Sequence, residues 1–135
     1  MSIPPPTRRI LLADDDLEVR LGVAEFLSGL GLEVVEAEDG VEALALAREE
    51  VVHVALLDMY MPGGPGLALL PRLWELHAGL PCILYSGRWT PSLELEVLRA
   101  GARACLKKPV EPLRLRDVVL RAIEFPGGDP ELLVN

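Results

Sequence analysis

The chain has 135 residues, of which half are apolar, a quarter are charged and 4% are aromatic. This length fits one globular domain with an aliphatic core, and the apolar share excludes a disordered or collagen-like chain. Thirteen Lys and Arg stand against twenty-one Asp and Glu, which gives a formal net charge of −8. Such an acidic chain lacks the positive charge that binding to nucleic-acid phosphates or anionic membranes requires, so we expect neither partner.

The N-terminus contains three consecutive prolines and two arginines but no apolar stretch of the kind found in a signal peptide. No apolar run approaches the roughly 20 residues needed to cross a membrane. The two cysteines, Cys82 and Cys105, lie far apart in apolar runs and form neither a metal-like nor a redox-like pair. We therefore expect a soluble, cytoplasmic protein with both cysteines reduced.

Short apolar runs alternate along the chain with longer stretches of helical period, an order typical of βαβ units. The first run, residues 10–13, is apolar on both faces and ends at Asp14, as a buried parallel strand does. From Leu17 onward, apolar residues recur every three or four positions until Gly31, which predicts a helix of about three turns. The predicted strands cover residues 10–13, 32–37, 51–57, 81–85 and 104–107.

The remaining predicted helices alternate with these strands and cover residues from 40 onward, 67–76, 90–100 and 112–125. In the second helix, the spacing places Val41, Leu44 and Ala45 on one buried face. Pro71 removes a backbone donor from the third helix, so we expect a bend there unless Pro71 lies in the first turn. Pro112 stands at the start of the last helix, where proline is favoured.

Five strand and helix pairs joined by right-handed crossovers form one parallel sheet with helices on both faces. The predicted fold is therefore a single-domain α/β structure with a doubly wound parallel sheet. It covers residues 8–125. We assign residues 1–7 to an N-terminal extension and residues 126–135 to a C-terminal tail, which is too short to be a domain.

Polar residues follow four of the predicted strands, at the edge where ligands bind in sheets of this kind. They are Asp14 and Asp15 after the first strand, Asp58 after the third, Ser86 after the fourth and Lys108 after the fifth. If the first and third strands are neighbours, three carboxylates converge, and they repel one another unless a cation joins them. Carboxylates suit Mg²⁺, and a carboxylate beside Mg²⁺ can attack phosphorus while Lys108 holds a phosphoryl oxygen. This pattern predicts phosphoryl transfer to Asp58, which gives an acyl phosphate.

Each of these residues also has an ordinary explanation. The aspartates at 14–16 belong to a residue type that caps helices, and we expect Asp16 to do so. Asp58 and Ser86 can be turn residues, and Lys108 can be a surface ammonium group. Their joint placement at four strand ends is harder to explain by chance, and it favours the site.

The residues at these strand ends resemble, in order and in surroundings, the receiver domains of two-component response regulators. The matching segments are Leu-Leu-Ala-Asp-Asp-Asp ending at Asp16, Leu-Leu-Asp-Met-Tyr-Met-Pro around Asp58, then Ser86, and the pair Lys108-Pro109. The likeness spans about residues 8–125. It implies a flavodoxin-like (βα)5 fold with the strand order 2-1-3-4-5.

This resemblance also implies a role for each site residue. Asp58 would be the phosphoacceptor, Ser86 the switch hydroxyl and Lys108 the phosphate partner, and Mg²⁺ would be held by Asp14, Asp15, Asp58 and the backbone carbonyl of Tyr60. The family further implies a cis peptide bond before Pro109. The phosphoryl donor would be a phosphohistidine on a sensor histidine kinase or a phosphotransfer protein.

Four residues set this chain apart within the resemblance. Cys105 stands in the fifth strand where the family usually has Tyr or Phe, so the usual aromatic rotamer switch is missing. Tyr60 and Arg88, each two residues beyond a reactive side chain, are bulky enough to crowd the water that hydrolyses the acyl phosphate. Gly87, which follows the switch hydroxyl, leaves more access and backbone freedom than a larger residue would.

We therefore expect a stand-alone receiver that signals through phosphorylation-dependent contacts with a protein target. It would not be an enzyme beyond catalysing its own phosphorylation and dephosphorylation. The alternative is a pseudo-receiver, a protein-binding module of the same fold that is not phosphorylated. Phosphatases and dehalogenases with an aspartyl nucleophile typically carry an acid where this chain has Tyr60, together with a cap domain. A nucleotide-binding protein is disfavoured because no glycine-rich loop follows the first strand.

Helical periodicity places four leucines on the outer faces of the last two helices. The buried face of the fourth helix is predicted to hold Leu93, Val97 and Ala100, and that of the last helix Leu115, Val119, Ala122 and Ile123. Facing outward are Leu95, Leu98, Leu113 and Leu120. If the two helices flank the fifth strand, these four can join into one apolar patch, and the resemblance implies that such a face forms homodimers or binds targets. Scattered surface leucines are the alternative.

Overall fold

The computed structural model describes residues 7–128, in which strands and helices alternate. The strands of the main sheet are β1 (Arg9–Ala13), β2 (Glu33–Ala37), β3 (Val54–Asp58), β4 (Cys82–Ser86) and β5 (Ala104–Lys107). The helices are α1 (Leu17–Gly29), α2 (Gly40–Glu49), α3 (Leu70–Leu76), α4 (Pro91–Arg99) and α5 (Pro112–Glu124). Between β3 and α3, a small hairpin (Tyr60–Met61 and Gly64–Pro65) leads into a 3-10 helix, Gly66–Leu69. Most of the predicted extension over 1–7 and of the predicted tail over 126–135 lies outside the described residues.

The main sheet is parallel throughout and has the order β2-β1-β3-β4-β5. This confirms the predicted doubly wound α/β fold and its strand order. In register, Asp58 lies opposite Tyr85 of β4, and Ser86 lies opposite Lys107 of β5. The carboxyl ends of the central strands are therefore level, and the order reverses between β1 and β3, where such sheets bind ligands.

Two apolar clusters cover the two faces of the sheet, because successive side chains of a strand point to opposite sides. Leu11 and Ala13 of β1 join a cluster with α2, α3 and α4, whereas Ile10 and Leu12 join the other with α1 and α5. Burial on both faces explains why the strands are continuous apolar runs rather than alternating patterns. Within residues 7–128, no helix combines the length and apolar composition needed to cross a membrane.

The predicted buried face of α2 is wrong. Leu44 is buried, but Val41 is 77% exposed and Ala45 is also exposed, while Ala43 and Ala47 are buried in their place. Small alanine side chains let the helix lie close against the sheet, and Val41 stands in its first turn, outside the packed surface. Ala100 is likewise exposed, because it caps the end of α4 rather than packing beneath it.

Two predicted boundaries differ from the structure by three residues each. The third strand begins at Val54 rather than at residue 51, and Val51 is 61% exposed. Apolar composition alone did not distinguish the loop valine from the strand valine. The helix predicted over 67–76 is split, because the chain forms a 3-10 turn up to Leu69 and α3 begins only at Leu70. Pro71 therefore lies in the first turn of α3, where its missing N–H needs no partner.

Specific residues mark the ends of α1, which begins at the edge of the sheet that carries the site. Asp16 is its N-cap, since its side chain accepts a hydrogen bond from the backbone N–H of Val19 at 3.2 Å. This confirms the expectation for Asp16 and leaves Asp14 and Asp15 free of that task. Gly31 follows the helix with a φ of 89°, a conformation that favours glycine and ends the helix as predicted.

Candidate functional site

Four strands of the sheet end in polar side chains at one edge. They are Asp14 after β1, Asp58 at the end of β3, Ser86 at the end of β4 and Lys108 after β5. Asp14, Asp58 and Ser86 are buried, although polar residues are seldom buried without partners. The structure thus brings together side chains that are up to 94 positions apart in the chain.

Asp14 is fully buried, yet its carboxylate is surrounded by donors. Oδ1 accepts a hydrogen bond from the backbone N–H of Asp16 at 2.9 Å. Oδ2 accepts one from Lys108 Nζ at 3.0 Å and another from the hydroxyl of Tyr85. Burial raises the pKa of Asp14, but the bonds from Tyr85, Asp16 and Lys108 outweigh burial and hold the pKa below its ordinary value. Asp14 is therefore a fixed anion.

Asp58 has fewer donors than Asp14. Its Oδ1 accepts a hydrogen bond from the backbone N–H of Tyr60 at 3.1 Å, and its Oδ2 accepts one from Lys108 Nζ at 3.1 Å. Burial raises the pKa of Asp58 to about 6, because these two bonds only partly offset burial and the charge of Asp14 adds to it. Asp58 is thus the less stabilised of the two buried carboxylates.

Lys108 joins the two aspartates. Its Nζ contacts Asp14 Oδ2 and Asp58 Oδ2 and lies 4.4 Å from the centre of the Tyr85 ring. Burial lowers the pKa of Lys108, but its hydrogen bonds to the two carboxylates outweigh burial and raise the pKa. Lys108 is therefore a cation, and 21% exposure of its side chain leaves it accessible to an approaching anion.

Asp15 completes an acidic cluster at the mouth of the site. Asp14, Asp15 and Asp58 each offer a carboxylate oxygen, and these atoms all lie within 4.8 Å of one another. Asp15 is exposed, so solvent reaches the cluster from its side. A group of carboxylate oxygens with an open side is the kind of donor set that Mg²⁺ prefers. The residues present therefore fit a hard divalent cation.

The comparisons with known proteins agree with this geometry. The family model of the response regulator receiver domain matches residues 10–120. The chain belongs to this family. The predicted resemblance is thereby confirmed.

Among curated relatives, this receiver is 34% identical over 116 residues to the C4-dicarboxylate transport transcriptional regulatory protein DctD of Pseudomonas aeruginosa, covering 86% of this chain and 25% of that protein. It is 37% identical over 116 residues to the transcriptional activator protein ExaE of Pseudomonas putida, covering 84% of this chain and 54% of that protein. The chain thus spans between a quarter and about half of the length of these relatives. The stand-alone receiver therefore stays a prediction.

Solved structures show the same fold. A CheY-like response regulator receiver domain protein from Methanospirillum hungatei matches with a TM-score of 0.84 at 30% identity, covering 90% of this chain and 98% of that one. The receiver domain of NtrX from Brucella abortus matches with a TM-score of 0.79 at 34% identity, covering 85% of this chain and 98% of that one. In both cases, nearly the whole of the solved chain is matched.

The loop after Asp58 folds back against the end of β3. The hairpin of Tyr60–Met61 and Gly64–Pro65 returns the chain so that Gly66 N–H donates to the Met59 carbonyl at 2.8 Å. A Cβ at Gly66 would collide with the backbone carbonyl of Asp58, so only glycine allows this close return. The side chain of Tyr60, two residues after Asp58, is 51% exposed. A backbone carbonyl ligand at Tyr60 stays a prediction.

The loop after β4 holds the predicted switch hydroxyl. Ser86 is 2% exposed, and its Oγ accepts a hydrogen bond from the backbone N–H of Arg88 at 3.0 Å. Because Ser86 acts as an acceptor there, its own O–H is free to donate. Gly87 and Arg88 are both exposed, and their predicted influence on access to the site stays a prediction. The peptide bond between Lys108 and Pro109 is cis, which confirms the prediction from the family.

Cys105 lies outside the acidic cluster. It is half-buried in β5 and, with Glu94 and Leu98, lines a groove between α4 and α5. Burial raises the pKa of its thiol to about 11, so the side chain is a neutral thiol. Nearby, the indole N–H of Trp89 donates to the Leu106 carbonyl at 2.6 Å and ties the loop after β4 to β5.

Sequence reasoning missed Tyr85, whose hydroxyl bonds to Asp14 inside the site. An aromatic residue in an apolar strand is ordinarily a core residue, and Tyr85 is indeed fully buried. The available signal was its position, since Tyr85 directly precedes Ser86, the last residue of β4. It is also the only tyrosine in the five strands of the described sheet. Arg20 was also missed, and its Nη1 donates to the Asp14 carbonyl at 2.7 Å.

Proposed function

We propose that this receiver accepts a phosphoryl group on Asp58 from a phosphohistidine of a sensor histidine kinase or a phosphotransfer protein. The observation that carries the proposal is Lys108, which bridges Asp58 to the buried anion Asp14 at the open edge of the sheet. A carboxylate oxygen of Asp58 forms a bond to phosphorus while the bond from phosphorus to the donor nitrogen breaks. The electron pair of the broken bond stays with the imidazole, and the product is an acyl phosphate.

Two side chains are placed to stabilise the transferred group. Lys108 is a partly exposed cation 3.1 Å from the acceptor carboxylate, so it can hold a phosphoryl oxygen without a large movement. Ser86 retains a free O–H because it accepts its hydrogen bond from Arg88. Its donation to another phosphoryl oxygen would draw the loop after β4 toward Asp58 and change the surface of the domain.

We infer that Mg²⁺ is held by the carboxylates of Asp14, Asp15 and Asp58 and by the backbone carbonyl of Tyr60. The clustering of the three carboxylates within 4.8 Å supports this inference. When bound, Mg²⁺ offsets negative charge on the phosphoryl oxygens. Asp14, held by its own donors, supplies a fixed negative charge to the cluster, and exposed Asp15 leaves the entrance open.

The direct test is the mass of the intact protein after incubation with acetyl phosphate and Mg²⁺. Wild-type protein should gain about 80 Da, the mass of one phosphoryl group, and the gain should be absent in Asp58→Asn or in the presence of EDTA. Asp117→Asn is the matched control, because Asp117 is exposed on α5 and its side chain bonds to Arg116. An unchanged gain in Asp58→Asn would place the chemistry elsewhere, and no gain in wild-type protein would favour the pseudo-receiver.

We also propose that the readout is a contact with a protein, either a target or a second copy of the chain. Leu95, Leu98, Leu113 and Leu120 are between 38% and 56% exposed, which supports the predicted outward face. On this proposal, catalysis is limited to the domain's own phosphorylation and dephosphorylation, and nucleic acid is not contacted by these residues. The free thiols of Cys82 and Cys105 suit a cytoplasmic location.

The role of these four leucines in protein contacts is tested by light scattering with and without beryllofluoride as a phosphoryl mimic. Self-association that strengthens with the mimic should disappear in Leu98→Glu plus Leu120→Glu. The matched control is Leu17→Glu plus Leu21→Glu on α1, where both leucines are about half exposed on another helix. Equal self-association in the two double variants, or none in wild-type protein together with unchanged target binding, would show that the leucines are scattered surface residues.

A further inference from the structure

Tyr85 combines complete burial with a polar contact to the site. Its ring belongs to the apolar cluster beneath α1 and α5, and its hydroxyl donates to Asp14 Oδ2. Lys108 Nζ lies over the same ring and bonds to the same oxygen. The ring of Tyr85 therefore contacts the ammonium group of Lys108, and its hydroxyl contacts the carboxylate of Asp14.

The hydrogen bonds of Asp14 leave one of its oxygens without free acceptor capacity. A carboxylate oxygen has about two lone-pair directions. Oδ2 uses both, one for Tyr85 and one for Lys108, whereas Oδ1 accepts only the backbone N–H of Asp16. A cation, or water bound to a cation, that approaches Oδ2 must therefore compete with Tyr85 and Lys108.

We propose that Tyr85 is a positioning residue that weakens Mg²⁺ binding to the acidic cluster and keeps Lys108 shared between Asp14 and Asp58. The proposal rests on the proposed function through its metal site. The hydroxyl points its positive end at Asp14 and occupies one lone pair, and both effects oppose a cation. It also satisfies part of the charge of Asp14, so that Lys108 is not drawn wholly to Asp14 and stays within reach of Asp58.

The variant Tyr85→Phe isolates the hydroxyl, because phenylalanine keeps the ring beneath Lys108. Without the hydroxyl, we expect the dissociation constant for Mg²⁺, measured by calorimetry, to fall about fivefold. At saturating Mg²⁺, we expect phosphorylation by acetyl phosphate to slow about threefold, since Lys108 moves toward Asp14. Tighter metal binding with slower transfer is a combination that general loosening of the core does not produce.

Ile83→Val is the matched control. Ile83 lies two residues earlier on β4, is fully buried in the same cluster, and loses one methyl group without touching the site. Its Mg²⁺ affinity and transfer rate should equal those of wild-type protein. A second measurement needs no variant: the Tyr85 hydroxyl proton should give a resonance protected from solvent exchange, and the resonance should shift when Mg²⁺ is added.

The possible outcomes separate the two proposals. The role of Tyr85 would be overturned if Tyr85→Phe left the Mg²⁺ affinity unchanged or weakened it. It would also be overturned if Ile83→Val changed the Mg²⁺ affinity by the same amount, or if no protected hydroxyl proton were found. If wild-type protein binds Mg²⁺ but gains no phosphoryl group, the proposed function fails while the affinity comparison still decides the role of Tyr85. If wild-type protein binds no Mg²⁺, the metal site and this role are both overturned.

Discussion

The carboxyl ends of β1 and β3 each carry a buried aspartate, and both side chains bond to Lys108. At the end of β1, Asp14 also receives the Tyr85 hydroxyl and the Asp16 backbone N–H, and its pKa is lowered. At the end of β3, Asp58 receives only the Tyr60 N–H in addition, and burial raises its pKa to about 6. The same residue type is thus a fixed counter-charge at one strand end and a less stabilised carboxylate at the other.

The largest expected effect comes from removing the charge of Asp14. Asp14→Asn puts amide hydrogens where the carboxylate accepts donors from three directions, so we expect the free energy of unfolding to fall by about 3 kcal/mol in metal-free buffer. Urea unfolding measures the change. Asp39→Asn is the control, because Asp39 caps α2 through one oxygen, and asparagine caps a helix equally well. Equal losses of unfolding free energy in the two variants would show that Asp14 stabilises the fold no more than an ordinary helix cap does.

Asp58→Asn should raise the free energy of unfolding rather than lower it, and the size of the increase should depend on pH. Because burial raises the pKa of Asp58, ionising it in the folded protein costs stability as pH rises from about 4 to about 6, and the cost is constant above that. Asparagine escapes this cost, so in EDTA the variant should be about 2 kcal/mol more stable than wild-type protein at pH 7.5. At pH 4 the two should be nearly equal. A difference that shrinks as pH rises would contradict the assignment.

Binding of Mg²⁺ should offset the repulsion among the three carboxylates. The resulting gain in stability should be smaller than the effects of the two substitutions above. At a concentration about ten times its dissociation constant, Mg²⁺ should stabilise wild-type protein by about 1.4 kcal/mol. Asp15→Ala should lose most of this gain and phosphorylate more slowly, while its stability in metal-free buffer is unchanged or higher because a repelling charge is gone. Thermal unfolding with and without EDTA makes the comparison. A clear loss of stability without metal would instead make Asp15 a structural residue of the α1 end.

The smallest expected effect concerns the access of water to a phosphoryl group on Asp58, at the end of β3. Tyr60 is 51% exposed and Arg88 is exposed, so both can shield the phosphoryl group from water without being part of the core. Replacing both with alanine should shorten the half-life of the phosphorylated protein about threefold. Val41→Ala plus Arg72→Ala, two exposed residues on α2 and α3, is the control. A half-life that is the same or longer in the Tyr60 and Arg88 variant would refute shielding.

The fold was predictable because a strand buried on both faces must be apolar throughout, and five such runs alternate with helices. The residues at the strand ends were predictable from their joint placement, because polar residues after four different strands are harder to explain by chance than any one of them alone. Helix rotation was not, as Val41 and Ala45 show, because packing against the sheet decides which face is buried. A loop valine such as Val51 has the composition of a strand but not its hydrogen bonds.

The contact between Tyr85 and Asp14 lies beyond such reasoning for a different reason. It depends on the registration of β4 against β3 and β1, which places a hydroxyl at the end of one strand beside a carboxylate 71 positions earlier. Sequence periodicity predicts that Tyr85 is buried. It does not predict which polar group the buried hydroxyl will meet.

The bond from the Trp89 indole to the Leu106 carbonyl has a practical consequence for spectroscopy. Trp89 directly follows Arg88, whose N–H is bonded to Ser86, so a rearrangement of the Ser86 loop reaches this fluorophore through one residue. The other tryptophan of the sequence, Trp74, bonds to the Leu80 carbonyl at the amino end of β4. The domain therefore carries one intrinsic emission probe at the end of the sheet with the acidic cluster and a second at the opposite end as an internal reference.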